Sequence, residues 1–110
     1  MASKSNDLDT IFEALANKHR RAIIYVVGLR PCSITELAEM RELSLPAIHK
    51  HIKILENAGL VSRRKMGRSN FLTLNPGALQ ELQDWLQRYH AYWGSEQASL
   101  ANYADYLKEK

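Results

Sequence analysis

With 110 residues, 45% hydrophobic and 25% charged, the chain suits one compact domain and is neither collagen-like nor wholly disordered. Its single cysteine, Cys32, excludes an internal disulfide and an all-cysteine zinc site; with no long apolar run and no apolar core near the N-terminus, no membrane partner is expected and the expected compartment is the cytoplasm. The net charge of +3 is uneven: residues 1–75 carry 12 Lys/Arg against 7 Asp/Glu and residues 76–110 carry 3 against 5, a basic body with an acidic tail that points one part of the chain at a polyanion.

Residues 1–6 are small, polar and expected to be loose. From Asp7 on, Leu8, Ile11, Phe12, Leu15 and Ala16 recur at helical spacing, the stripe of an amphipathic helix that Asn17 breaks. Lys18–Val27 predicts a second helix, closed by Gly28, before Arg30-Pro31 forces an extended turn. Ser33-Ile34-Thr35-Glu36 has the form of a capping box. The short helix it opens should turn Ile34, Leu37, Ala38 and Met40 inward. Ser44 is the next cap, with Pro46 in the first turn, where a missing N–H costs nothing. That helix runs from Leu45 to about Asn57 and ends near Gly59. Two short helices joined so tightly form a helix-turn-helix.

Leu60–Lys65 and Asn70–Leu74 flank a glycine turn at Met66-Gly67-Arg68-Ser69 and predict a β-hairpin, ended by Asn75-Pro76-Gly77. From Ala78 the pattern is helical to the end. Leu79, Leu82, Leu86, Tyr89, Trp93, Leu100, Tyr103 and Leu107 form a heptad-type seam that only Glu96 interrupts. Thirty residues of helix would reach about 45 Å. A 75-residue body is nearer ~25–30 Å across, so much of the seam is left for a partner. Gly94-Ser95 is a candidate bend. The expected organisation is a loose 1–6, a body at 7–75 and a helical segment at 76–110.

On the second helix of the pair, Ile48, Ile52 and Leu55 share one face. Pro46, Ala47, Lys50 and Lys53 take the opposite face, with His49 at its edge. Small residues near the N-terminus permit close approach to a groove, and lysines further along supply charge and donors. Such a helix alone is ordinarily just solvated. The hairpin that follows it adds Arg63, Arg64, Lys65 and Arg68, whose tip should fall near a DNA backbone or minor groove. Lys18, Arg20 and Arg21 make a second basic cluster, read as structural, with at least one arginine on a local carboxylate. His51 is read as packed or phosphate-touching. The stripe of Trp85, Tyr89, Tyr92, Trp93, Tyr103 and Tyr106 suits a ligand pocket or, at helical spacing, an interface. No Walker loop, G-x-G-x-x-G, G-x-S-x-G or H-E-x-x-H is present, so no catalytic set and no cofactor are expected.

The order of elements resembles a winged helix-turn-helix, mainly α with a small β-hairpin and a long C-terminal helix. More narrowly, three segments resemble the ArsR family of bacterial and archaeal repressors. They are Ala14–Ile23, Ile34–Glu39 and, most specifically, Ser44–Val61, which reads SLPAIHKHIKILENAGLV. The resemblance covers roughly residues 8–93, with the basic hairpin at the family's wing. It implies a homodimeric repressor of double-stranded DNA at a near-palindromic operator. The implied contacts are Ser44, Leu45, Pro46, Ala47, His49, Lys50 and Lys53 on the recognition helix and Arg63, Arg64, Lys65 and Arg68 on the wing. First and last helices would pair across the two-fold axis through Leu8, Ile11, Phe12, Leu82, Trp85, Leu86, Tyr89, Tyr92, Trp93 and Leu100. Many members sense metals. Here the first helix of the pair lacks the Cys-x-Cys of one family site, and Asp84 lacks the following histidine of another, so no metal is expected. An inducer is unspecified. His49 stands where serine is usual, and Arg41-Glu42 where the family often has an aromatic or aliphatic residue and a glycine. Two other readings are a winged-helix module that docks proteins and a repressor that responds to redox or metal through Cys32.

Overall fold

The computed structural model describes residues 8–93 and 103–108. The elements are α1 (Leu8–Leu15), α2 (Lys18–Leu29), β1 (Cys32–Ser33), α3 (Ile34–Arg41), α4 (Leu45–Asn57), β2 (Val61–Met66), β3 (Ser69–Leu74) and α5 (Gln80–Trp93). The chain divides into two units, the first ending at Leu79 and the second beginning at Gln80. The fold is mainly helical with a small antiparallel sheet.

α2, α3 and α4 each start where a short polar side chain supplies an acceptor to open backbone N–H groups. Asn17 accepts from the N–H groups of His19 and Arg20 at 2.9 and 3.2 Å, so it opens α2 as well as ending α1. Ser33 accepts from Glu36 N–H at 3.1 Å and Ser44 from Ala47 N–H at 3.3 Å, opening α3 and α4. Gly28 lies within α2, which runs on to Leu29. Arg30 is then extended ahead of Pro31, as a residue before proline must be.

The ends of α3 and α4 share one design. After α4, Gly59 takes φ 77°, Leu60 N–H reaches Leu55 C=O at 3.0 Å and Gly59 N–H reaches Glu56 C=O at 2.9 Å. After α3, Leu43 N–H reaches Ala38 C=O at 2.9 Å and Glu42 N–H reaches Glu39 C=O at 3.1 Å. Both are Schellman motifs, which need a left-handed residue. In the second, that residue is Glu42, at φ 56° and ψ 44°. The turn keeps the geometry that glycine would ordinarily supply.

Three strands pair in the order β1-β3-β2, all antiparallel. The hairpin β2–β3 is the expected one. The sequence reading missed β1, in which Cys32 faces Leu72 and Ser33 faces Phe71. Cys32 is thus a strand residue, and its side chain is fully buried. The core gathers Ile11 of α1, Ile23 of α2, Leu37 of α3, Ile48, Ile52 and Leu55 of α4, and Leu72 of β3, each at 0% exposure. Fully burying each such side chain stabilises the fold by roughly 1.5–3 kcal/mol. Met40, expected inward, lies outside this core at 42% exposure. Ile11, expected at a dimer interface, belongs to the unit's own core because no part of it remains for a partner; Phe12 is 40% exposed.

Asn75 ties the end of the sheet to the end of α4. Its N–H donates to Leu60 C=O at 2.9 Å, its Nδ2 donates to Gly59 C=O at 2.9 Å, and its Oδ1 accepts from Ser62 Oγ at 2.6 Å.

In the second unit, α5 begins at Gln80, after a turn over residues 76–79, rather than at Ala78. Leu82 and Trp85 are half-buried; Leu86 and Tyr89 are exposed. The rings of Trp85 and Tyr89, one turn apart, meet edge to face at 5.0 Å. Residues 103–108 are also helical, and Tyr103, Tyr106 and Leu107 on them are exposed. Leu100, Gly94-Ser95 and the side chains of Tyr92 and Trp93 lie outside the described residues.

Candidate nucleic-acid interface

The buried stripe of α4 fixes its rotation. With Ile48, Ile52 and Leu55 locked inward, Pro46, Lys50 and Lys53 are driven to the opposite side, and all three are exposed. Ser44, Leu45 and His49 are exposed as well, and Ala47 is half-buried. The free face thus carries a proline, short side chains and two lysines, and its first turn offers backbone N–H groups.

The wing follows directly. Val61, Arg63 and Lys65 alternate on one face of β2; Val61 is buried, so this face turns inward and its outer end carries charge. Arg64 lies on the other face, and Arg68 sits in the turn. All four cationic residues of the hairpin are exposed.

Arg63 has partners within the protein. Its Nε donates to Glu56 Oε2 at 3.0 Å, and its Nη1 lies 3.4 Å from His49 Nδ1. Strand β2 and α4 are thereby joined side chain to side chain.

A polar cleft of about 320 Å³ lies between the N-terminal turns of α3 and α4 and the hairpin. Leu45, His49 and Arg68 line it, and so do Thr35 and Asn70, which the sequence reading did not nominate. Thr35 was findable as an exposed polar residue in the first turn of the first helix of the pair. Asn70 was not, because its place depends on the register of the hairpin.

The second basic cluster is structural in an unexpected way. Arg20 Nε donates to Ala14 C=O at 2.6 Å and Nη2 to Glu13 C=O at 3.3 Å. Arg21 Nη1 donates to Leu15 C=O at 2.8 Å. The two arginines therefore take the open carbonyls at the C-terminus of α1, not a carboxylate as expected. Arg20 Nη1 also meets His51 Nδ1 at 3.2 Å, and Arg41 Nε donates to His19 Nδ1 at 3.1 Å. The imidazoles of His19 and His51 stand 5.5 Å apart between the two guanidinium groups. Burial lowers the pKa of His51 first, and Arg20 and His19 lower it further.

Burial pushes the Cys32 thiol up, against a smaller pull from Arg30. That favours the unreactive thiol over the thiolate. Arg30 also holds the Glu36 carboxylate, chiefly by a direct hydrogen bond, and keeps it below its ordinary range; the Ser33 backbone adds the second arm of the capping box. Among the described residues, no group of three His, Cys, Asp or Glu is placed to hold a metal, and no helix is long and apolar enough to cross a membrane.

Known proteins agree with this architecture. The family profile described as "Bacterial regulatory protein, arsR family" matches residues 17–63. The HTH-type transcriptional regulator Rv2034 of Mycobacterium tuberculosis is 36% identical over 81 residues, covering 74% of this chain and 76% of that protein. The chain belongs to the ArsR family. A crystal structure of an ArsR family transcriptional regulator, RHA00566, superposes on this ArsR chain with a TM-score of 0.71 at 32% identity, covering 86% of this chain and 98% of that one. Two further relatives carry opposite signs in their names. They are the transcriptional repressor SdpR of Bacillus subtilis (26% identical, 74% of this chain, 91% of that one) and the transcriptional activator HlyU of Vibrio cholerae (29%, 82% and 83%). The fold of this ArsR member is a winged helix-turn-helix in which α3 and α4 form the helix pair and β2–β3 the wing.

Proposed function

We propose that this ArsR-family regulator binds duplex DNA in the cytoplasm as a symmetric homodimer and represses transcription by occupying a near-palindromic operator. The observation that carries the reading is the outward face of α4. Pro46, Lys50 and Lys53 are exposed there because the opposite face is anchored at 0% exposure, and a cationic hairpin follows at once. Ser44, Leu45, Pro46, Ala47, Lys50 and Lys53 enter the major groove; Arg64, Lys65 and Arg68 take backbone phosphates. Leu82, Trp85, Leu86 and Tyr89 on α5 supply the contact between copies, supported by the exposed apolar side chains of Leu86 and Tyr89. A two-fold pair sets two recognition helices into successive major grooves, about 34 Å apart. A compact body seated on a promoter blocks it by occupancy.

Selection of bound duplexes from a random pool tests the whole reading. The expected product is an inverted repeat with half-sites one helical turn apart, bound by a species that sediments as a dimer. A pool without enrichment overturns DNA recognition, an asymmetric site on a monomer overturns the dimer, and a reporter that rises with occupancy overturns repression.

A further inference from the structure

Three side chains join the wing to the recognition helix, and their hydrogen-bond chemistry has one solution. Arg63 Nη1 lies 3.4 Å from His49 Nδ1. A guanidinium has only donors, so Nδ1 accepts and the ring proton sits on Nε2. The imidazole therefore presents a single N–H donor at its far end. Arg63 does not choose its place freely, because Glu56 Oε2 accepts from its Nε at 3.0 Å. Glu56 follows His49 by two helical turns, so both lie along one side of α4 and Arg63 reaches across to them from β2. Its charge is met by Glu56. Among the described residues, Arg64, Lys65 and Arg68 have no carboxylate within ion-pair distance. Arg63 is thus the one cation of the hairpin already committed inside the protein. His49, in contrast, is exposed and lines the cleft between α4 and the wing.

We infer that His49 reads one base pair of each half-site by donating from Nε2 to guanine, and that Arg63 and Glu56 are positioning residues that fix its tautomer and aim. The inference rests on the DNA-binding reading above. Guanine fits the lone donor because its major-groove edge offers two adjacent acceptors, N7 and O6, and no donor. Adenine sets an amino group beside N7, which would oppose the imidazole N–H. Thymine sets a methyl group beside its single acceptor. The assignment also moves Arg63 from the phosphate-contacting set into the machinery that holds the wing against α4.

The test is duplex selection and salt titration with the full chain and four variants. The wild type should enrich guanine at one symmetric position of each half-site. His49→Ala should lose that preference alone, bind the selected site roughly five- to tenfold more weakly, and keep the wild-type salt slope. Arg63→Lys retains the charge but cannot bridge Glu56 and His49, so it should lose the same preference with the slope unchanged. Glu56→Ala removes the acceptor that holds Arg63 Nε and frees the guanidinium for a phosphate. It should weaken the guanine preference and steepen the slope by about 0.9 per half-site, or about 1.8 for the dimer. A guanine preference that survives in His49→Ala overturns the base-reading role. A slope that falls by about 0.9 per half-site in Arg63→Ala, about 1.8 for the dimer, overturns the positioning role and makes Arg63 a phosphate contact. If the wild type enriches no duplex, the reading beneath it fails too; if it enriches a site that His49→Ala still reads, only this inference fails.

Discussion

Arg20 Nη1 and His51 Nδ1 meet at 3.2 Å and join the start of α2 to the middle of α4. The guanidinium only donates, so the contact requires a neutral His51. His19 lies beside it, Arg41 stands behind His19, and α1 contributes the carbonyls of Glu13 and Ala14 that hold Arg20.

This arrangement makes stability fall with acid. His51 has an ordinary value of 6.5 and is held below it in the folded chain. Between the two values the unfolded chain binds more protons, so stability is complete above about pH 6.5 and is lost as pH falls through the folded value. The melting midpoint should drop between pH 7 and pH 5. His51→Gln, whose amide oxygen still accepts from Arg20, should flatten that drop. An equal drop in the variant would place the acid sensitivity elsewhere.

Glu42 holds a left-handed conformation inside the helix-turn-helix. A non-glycine residue there costs roughly 1–2 kcal/mol, which glycine avoids at the expense of some chain entropy. Glu42→Gly should therefore raise unfolding free energy by about 1 kcal/mol in urea titration. DNA affinity should stay the same, since the turn geometry does not change.

Much of this fold was legible because its signals are local. Ser33 and Ser44 declare helix starts within four residues, and the spacing of Ile48, Ile52 and Leu55 sets which side of α4 faces out. What stayed hidden depends on residues distant in sequence. Strand β1 is too short for any period to register, and it exists because Leu72 pairs with Cys32. Arg20 finds carbonyls of α1 and an imidazole of α4, so its charge alone misdirected the expectation toward a carboxylate. The tie from Arg63 to Glu56 and His49 depends on which face of β2 turns inward, and that is decided by packing.

Asn75 ends the hairpin, and its side chain also links Gly59 to Ser62. Asn75→Ala leaves a carbonyl and a hydroxyl in a half-buried corner without these partners. The expected cost is about 2 kcal/mol, seen as a lower denaturation midpoint with the slope unchanged. Asn75→Asp should restore the acceptor for Ser62 but not the donor for Gly59, and so recover part of the loss.

Lys50 and Arg64 should fail in different ways. Lys50→Ala removes a groove-facing donor and should alter base preference as well as affinity. Arg64→Ala removes a wing charge and should weaken all duplexes alike, lowering the log–log salt slope by about 0.9 per site. Both residues are exposed, so melting curves should stay close to wild type. Wild-type affinity in the double variant would count against the interface.

The wing turns on a single achiral carbon. Gly67 takes φ 67° in a two-residue loop, while Arg68 beside it has ordinary φ, the signature of a II′ turn. Beyond its chain neighbours, no atom lies within 4 Å of where a Cβ would stand, so crowding plays no part and the strain of a substitution comes from handedness alone. A chemically synthesised chain with D-alanine there would keep the hairpin and stiffen it. The L-enantiomer would twist the same strands apart, a comparison in which stereochemistry is the sole variable.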